Sequence, residues 1–195
     1  MIKADKTHKA KVIEILSECF ESNKSVNLIV KQDAKKQDRI SHLMNYAFDA
    51  CIEAGQVYLN QNLTAAIICS TSADKLPILE EAYLTAKLVR QVTGISGIGR
   101  AMRRERYVNG FHPKDEEFMY IWFIGVKASE RVRGAGSEIL KQVINESNEQ
   151  KIPIYLETST ERNLTFYEKH GFKTYHISPD DLFGFKLYFL KRQFE

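Results

Sequence analysis

"ERNLTFYEKHGF", residues Glu161–Phe172, follows the apolar run "KIPIYLETST" and ends on a glycine and an aromatic residue. The run reads as a β-strand, with Glu157 alternating with Leu156 near its end. The twelve residues after it predict a short helix stopped by Gly171. Asn163 stands where a helix N-cap is expected, since its side-chain oxygen can accept from a first-turn amide. Tyr167 then falls inside the helix, where a ring packs on a sheet and its hydroxyl stays wet.

Upstream lies "RVRGAG", Arg131–Gly136, between an almost continuous apolar run, Glu116–Val126, and a helical stripe of Ile139, Leu140, Val143 and Ile144. The apolar run reads as a central strand covered on both faces. Strand, helix and strand in this order suggest a right-handed crossover joining parallel strands. The turn itself suits an anion. The first amides of a helix lack internal partners and carry partial positive charge. Gly134 and Gly136 let a ligand approach the backbone, and Arg131 and Arg133 add charge. A tight turn with solvated arginines explains the same spacing. A P-loop is excluded, because Ser137-Glu138 stands where Lys-Ser/Thr is required. A dinucleotide-binding fold is disfavoured by the missing third glycine and the late position of the motif.

The first half is read by periodicity. Val12, Ile13, Leu16, Cys19 and Phe20 share a helical face, as do Ile40, Leu43, Met44, Ala47, Phe48 and Cys51, with Gly55 as a stop. "VNLIV" is a strand or a helix end. "QVYLNQNLTAAIICS" reads as a hairpin. A helix begins near Pro77, and "RAMRRERYVNG" forms another that closes at Gly110. At the end of the chain, "KTYHIS" and "FGFKLYFLKR" pair antiparallel across "PDDLFG".

With 195 residues and 44% hydrophobic content, the chain suits one domain over residues 1–195. No apolar stretch approaches a membrane span and the start lacks a signal-peptide core, so a soluble cytoplasmic protein with no membrane partner is expected. The net charge of +3 does not argue for nucleic acid. The three cysteines, Cys19, Cys51 and Cys69, are far apart and read as reduced core residues; the five histidines are scattered, and no metal is expected. Arg100, Arg103, Arg104 and Arg106 read as a solvated helix face.

Taken together, these motifs resemble the GNAT superfamily of N-acetyltransferases. Arg131, Gly134 and Gly136 fill that family's Arg/Gln-x-x-Gly-x-Gly/Ala signature, and Asn163, Tyr167 and Gly171-Phe172 fill its second motif. The resemblance spans Glu116–Ile177. It implies an α/β, layered α+β fold: a mixed, mostly antiparallel sheet of six to seven strands flanked by helices and splayed between two central parallel strands. It also implies acetyl-CoA as co-substrate. Main-chain groups of Ile124, Gly125 and Val126 would hold the pantetheine arm. Amides of Val132, Arg133, Gly134, Ala135, Gly136 and Ser137, with Arg131, would hold the pyrophosphate. Asn163 would bond the cofactor arm, and Tyr167 would act as general acid at the leaving sulfur.

Glu157 is the first candidate for the base, directly or through water; a salt bridge or a substrate-ammonium anchor fits it equally. His112 is the second, with a plain loop role as its alternative. Tyr120 and Trp122 line the acceptor pocket or pack in the core. The implied reaction is direct attack by a primary amine of a small molecule in a ternary complex, near the branch of puromycin-type acetyltransferases. The alternatives are a protein or peptide acceptor, or an acyl-CoA-binding sensor without turnover. A monomer or a homodimer is expected.

Overall fold

The computed structural model describes residues 1–53, 56–74, 77–130 and 134–195. Gly55, Arg131, Val132 and Arg133 lie outside them. Seven strands form one sheet: β1 (Ile2–Lys3), β2 (Val57–Leu59), β3 (Ala65–Thr71), β4 (Met119–Val126), β5 (Ile154–Thr158), β6 (Lys173–Ile177) and β7 (Tyr188–Arg192). Their order is β1-β2-β3-β4-β5-β7-β6. Only β4 and β5 pair in parallel; the other neighbours are antiparallel. This is the expected mixed, mostly antiparallel architecture.

Two helical layers cover the sheet. On one face, α1 (Lys9–Phe20) and α3 (Lys36–Ile52) bury Val12, Ile15, Leu16, Ile40, Met44 and Phe48 against β2 and β3. The three-and-four spacing of these apolar residues puts them on one stripe of each helix. On the other face, α6 (Ala135–Gln150) buries Ile139, Leu140, Val143 and Ile144, and α7 (Leu164–Glu168) adds Tyr167. Three further helices, α2 (Lys24–Ile29), α4 (Ile78–Leu88) and α5 (Ile98–Asn109), flank the first layer, and α8 (Asp180–Phe183) lies before β7.

Several local readings change. "VNLIV" is the end of α2, capped by Asn23, whose side chain accepts from Val26 N at 3.0 Å. "PDDLFG" holds the short helix α8, and β7 inserts between β5 and β6. Strand β4 is not uniformly covered: Met119, Ile121, Phe123 and Gly125 are buried, while Tyr120, Trp122, Ile124 and Val126 are half-buried.

A β-bulge interrupts this strand. Ile68 pairs with Phe123 and the next residue, Cys69, pairs with Ile121, so Trp122 is an extra residue in β4. A bulge bends its strand and strengthens its twist. Here it also changes which face each side chain meets. Met119 and Ile121 pack in the α6 layer and Phe123 in the α1 layer. Trp122 and Phe123 both turn toward α1, their rings stacked 5.8 Å apart. Beyond the bulge, α1 comes close: a Cβ on Gly125 would meet Cys19 and Leu16 atoms at 3.0 Å.

Candidate active site

Strands β4 and β5 pair only at Met119 with Ile154 and at Tyr120 with Tyr155. From Ile121 and Leu156 onward they part, on the same stretch where the bulge bends β4. A cleft of about 920 Å³ opens in the gap. It is lined from both layers, by Phe20 and Tyr46 on one side and Gly136 and Phe166 on the other, so it passes between the strands. Glu157 shows what parting does to an edge: the residue is half-buried although its side chain is only 1% exposed, so the accessible part is main chain.

On the α6 side, the cleft wall is the start of a helix. Gly134 occupies the N-cap of α6 at φ +81°, a left-handed conformation that favours glycine, and being glycine it offers no capping side chain. A Cβ at Gly134 would meet nothing within 4 Å, whereas one on Gly136 would sit 3.4 Å from Val126 and 3.5 Å from Phe166. Gly134, Gly136 and Ser137 line the cleft, as do Ile124, Gly125 and Val126 of β4. Open main-chain edges beside this helix start fit a long, polyanionic thioester such as acetyl-CoA. Asn163 precedes α7 and also lines the cleft; its side chain makes no capping bond, which removes the capping role expected of it.

Tyr167 lines the same wall. Its ring is buried against Phe172 and Phe166, and burial raises the phenol above its ordinary range, so it stays protonated at neutral pH.

The other flank holds a network that joins three elements. Glu157 accepts from Tyr120 Oη at 2.6 Å through Oε2 and from His112 Nε2 at 2.9 Å through Oε1. A carboxylate only accepts, so His112 must carry its proton on Nε2. Burial pushes the Tyr120 phenol well up, the Glu157 charge adds to this, and the Arg104 guanidinium opposes it. His112 packs edge-on against Tyr120 and beside Phe118, in the loop between α5 and β4. Each carboxylate oxygen of Glu157 thus accepts one bond, and both Glu157 and Tyr120 line the cleft.

Cys19 was not legible as a site residue. Expected in the core, it lines the cleft and donates from Sγ to Val126 O at 3.1 Å. Its place on the apolar stripe of α1 gave no sign of this. Cys51 and Cys69 are core residues as expected, and burial lifts the Cys51 thiol to about 12. Trp122 lines the cleft with its edge against Tyr46, ring centroids 5.8 Å apart. The arginine run is not wholly a solvated face: Arg100 reaches Leu28 O at 3.2 Å, and Arg104 is half-buried at the cleft. Among the described residues, no group of three or more His, Cys, Asp or Glu is placed to hold a metal. No helix there is long and apolar enough to cross a membrane.

The fold is shared with solved acetyltransferases. A Corynebacterium glutamicum protein described as histone acetyltransferase HPA2 and related acetyltransferase superposes with a TM-score of 0.71 at 16% identity, over 100% of this chain and 95% of that one. Arylalkylamine N-acetyltransferase 2 from Aedes aegypti gives 0.68 at 11% identity, over 100% and 98%. The NatC complex bound to Gag peptide and CoA gives 0.55 at 13%, over 98% and 93%. At these identities the likeness is one of fold. Residues 91–172 match the model of the acetyltransferase (GNAT) family. The chain is 28% identical to an uncharacterized N-acetyltransferase of Schizosaccharomyces pombe over 35% of its length, and the match spans about a third (33%) of that relative's length.

Proposed function

We propose that this protein is an N-acetyltransferase that moves an acetyl group from acetyl-CoA to a primary amine of a small molecule by direct attack, within a single domain spanning 1–195. The observation that carries the reading is the cleft between β4 and β5, whose lining joins the start of α6, Tyr167, Tyr120 and Glu157, with His112 hydrogen-bonded to Glu157 outside the lining. Acetyl-CoA, when bound, supplies an activated thioester carbonyl. Gly134, Ala135, Gly136 and Ser137 would present amides to its pyrophosphate, and Ile124, Gly125, Val126 and Asn163 would hold its arm. Arg131, Val132 and Arg133 belong to the same loop by sequence.

Tyr167 then serves as a hydroxyl donor at the leaving sulfur. Its raised pKa suits hydrogen-bond donation better than outright proton loss, because an ordinary thiol is more acidic, with a pKa of about 8.5. On the opposite flank, the amine loses a proton to Tyr120 Oη as the Tyr120 proton passes to Glu157 Oε2. His112 keeps Glu157 oriented through Oε1 and stabilises the carboxylate. The aromatic walls, Phe20, Tyr46 and Trp122, favour a compact apolar acceptor over a charged protein surface, in keeping with the puromycin-type branch that the motifs resemble.

Thiol release from acetyl-CoA with a panel of primary amines tests the reading, with thermal melting in coenzyme A as a second readout. A ligand at about 100 times its Kd adds roughly 2.7 kcal/mol to the folded state. Coenzyme A should raise Tm, and Tyr167→Phe should lower kcat by about tenfold or more while that rise persists. No stabilisation at saturating coenzyme A would overturn the assignment. An unchanged kcat in Tyr167→Phe would remove Tyr167 from the mechanism.

A further inference from the structure

Arg104 on α5 is unlike the other inward-turned arginines. Arg39 gives two nitrogens to Asp33, at 2.9 and 2.8 Å, and a third to Gln91 O. Arg192 is held by Asn148, His170 O and Glu195. Arg104 gives only Nε, to Ser25 Oγ at 2.7 Å, and among the described residues it makes no ion pair. The bond to Ser25 fixes the guanidinium against α2. The two terminal nitrogens keep four N–H groups in a planar fork, the shape that matches a carboxylate. The guanidinium lines the cleft with no counter-ion among the described residues, and a carboxylate entering the cleft would supply one.

Its position adds the second observation. Arg104 lines the cleft together with Phe20, Tyr46 and Trp122, and its charge is felt at the Tyr120 phenol. Glu157 is shared by His112 and Tyr120. Glu105, one residue along from Arg104, is exposed, also lines the cleft and accepts from Asn109 Nδ2 at 3.3 Å; its charge too is felt at Tyr120, and it makes no ion pair with Arg104. The acceptor side of the cleft thus has a cationic fork at one point, a proton-accepting phenol at another and aromatic walls around them. We infer that the acceptor is an amino acid-like zwitterion with an apolar side chain: its carboxylate docks on Arg104 and its ammonium is delivered to Tyr120. The ammonium half rests on the acetyl-transfer reading; the carboxylate half does not.

Two measurements on the full chain separate these halves. The first compares kcat/KM for phenylalanine and phenethylamine, which differ only by the carboxylate. The acid-bearing amine should be favoured by roughly 10- to 100-fold in the wild type, the range expected for a charge-assisted bond. Arg104→Met should bring that ratio close to one, and Arg104→Lys should restore part of it. The second uses hydrocinnamate, which has the carboxylate and ring but no amine. It should raise Tm of the wild type and of Ser25→Ala, which keeps the guanidinium, but not of Arg104→Met. The proposal falls if phenethylamine is as good as phenylalanine in the wild type, or if the ratio survives in both Arg104 variants. If neither amine releases thiol, the hydrocinnamate shift alone decides the carboxylate site: a shift dependent on Arg104 supports it, and no shift overturns it.

Discussion

Replacing Glu157 by Gln changes one atom and separates structure from chemistry at this site. The side chain is 1% exposed, so solvent does little to screen or replace its bonds. As a carboxylate it accepts from Tyr120 at 2.6 Å and His112 at 2.9 Å. A glutamine has one carbonyl oxygen for these two donors, and its NH₂ would face the other. One charge-assisted bond is lost and one donor left unsatisfied, which costs about 1.5–3 kcal/mol. For a chain of this size each kcal/mol moves Tm by about 2–4 °C, so Tm should fall by about 3–12 °C. If Glu157 is the final proton acceptor, kcat/KM should fall by about 10²–10⁴ with any good amine. The assays are a thermal melt and thiol release, repeated for Tyr120→Phe and for the double variant. Residues acting as one unit give non-additive losses, so the double variant should be little slower than Glu157→Gln alone. A Tm drop with full activity would make the network purely structural. Unchanged Tm would refute the inferred bonds themselves.

Two further outcomes follow from the packing. In Gly125→Ala the new Cβ meets Cys19 and Leu16 at 3.0 Å, so α1 must withdraw from β4; the overpacking should cost about 1–3 kcal/mol in a thermal or denaturant melt. The same change should weaken stabilisation by coenzyme A, because the Cys19 bond to Val126 O lies beside the open edge of β4. His176 sets an acid limit on stability. Burial holds its pKa below the ordinary value of 6.5, with Nε2 2.9 Å from Tyr107 Oη and the ring stacked on Phe111 at 3.8 Å. The unfolded chain therefore takes up a proton more readily, so this contribution is complete above that value and is lost as pH falls through the folded pKa. Melts across this range should show the acid loss in the wild type and a smaller one in His176→Gln.

Local pattern placed most of the framework. The apolar stripes of α1, α3 and α6 and the run of β4 depend on neighbours a few residues away, which is the range over which periodicity carries information. Gly134 marked the start of α6 because a left-handed N-cap needs a residue without Cβ. The late motif likewise put Tyr167 on a short helix closed by Gly171, at φ +82°. What local pattern could not express is the pairing of distant residues. Glu157 meets Tyr120 across 37 positions and His112 across 45, and nothing near any of them announces the others. The gap between β4 and β5 has the same origin. It lies beside a bulge at Trp122 that is defined by register against β3, more than fifty residues earlier. Cys19 and Arg104 left the roles expected of them for that reason too. An apolar stripe or a basic face states only that a side is buried or charged, and the tertiary fold alone decided that both sides face a cleft.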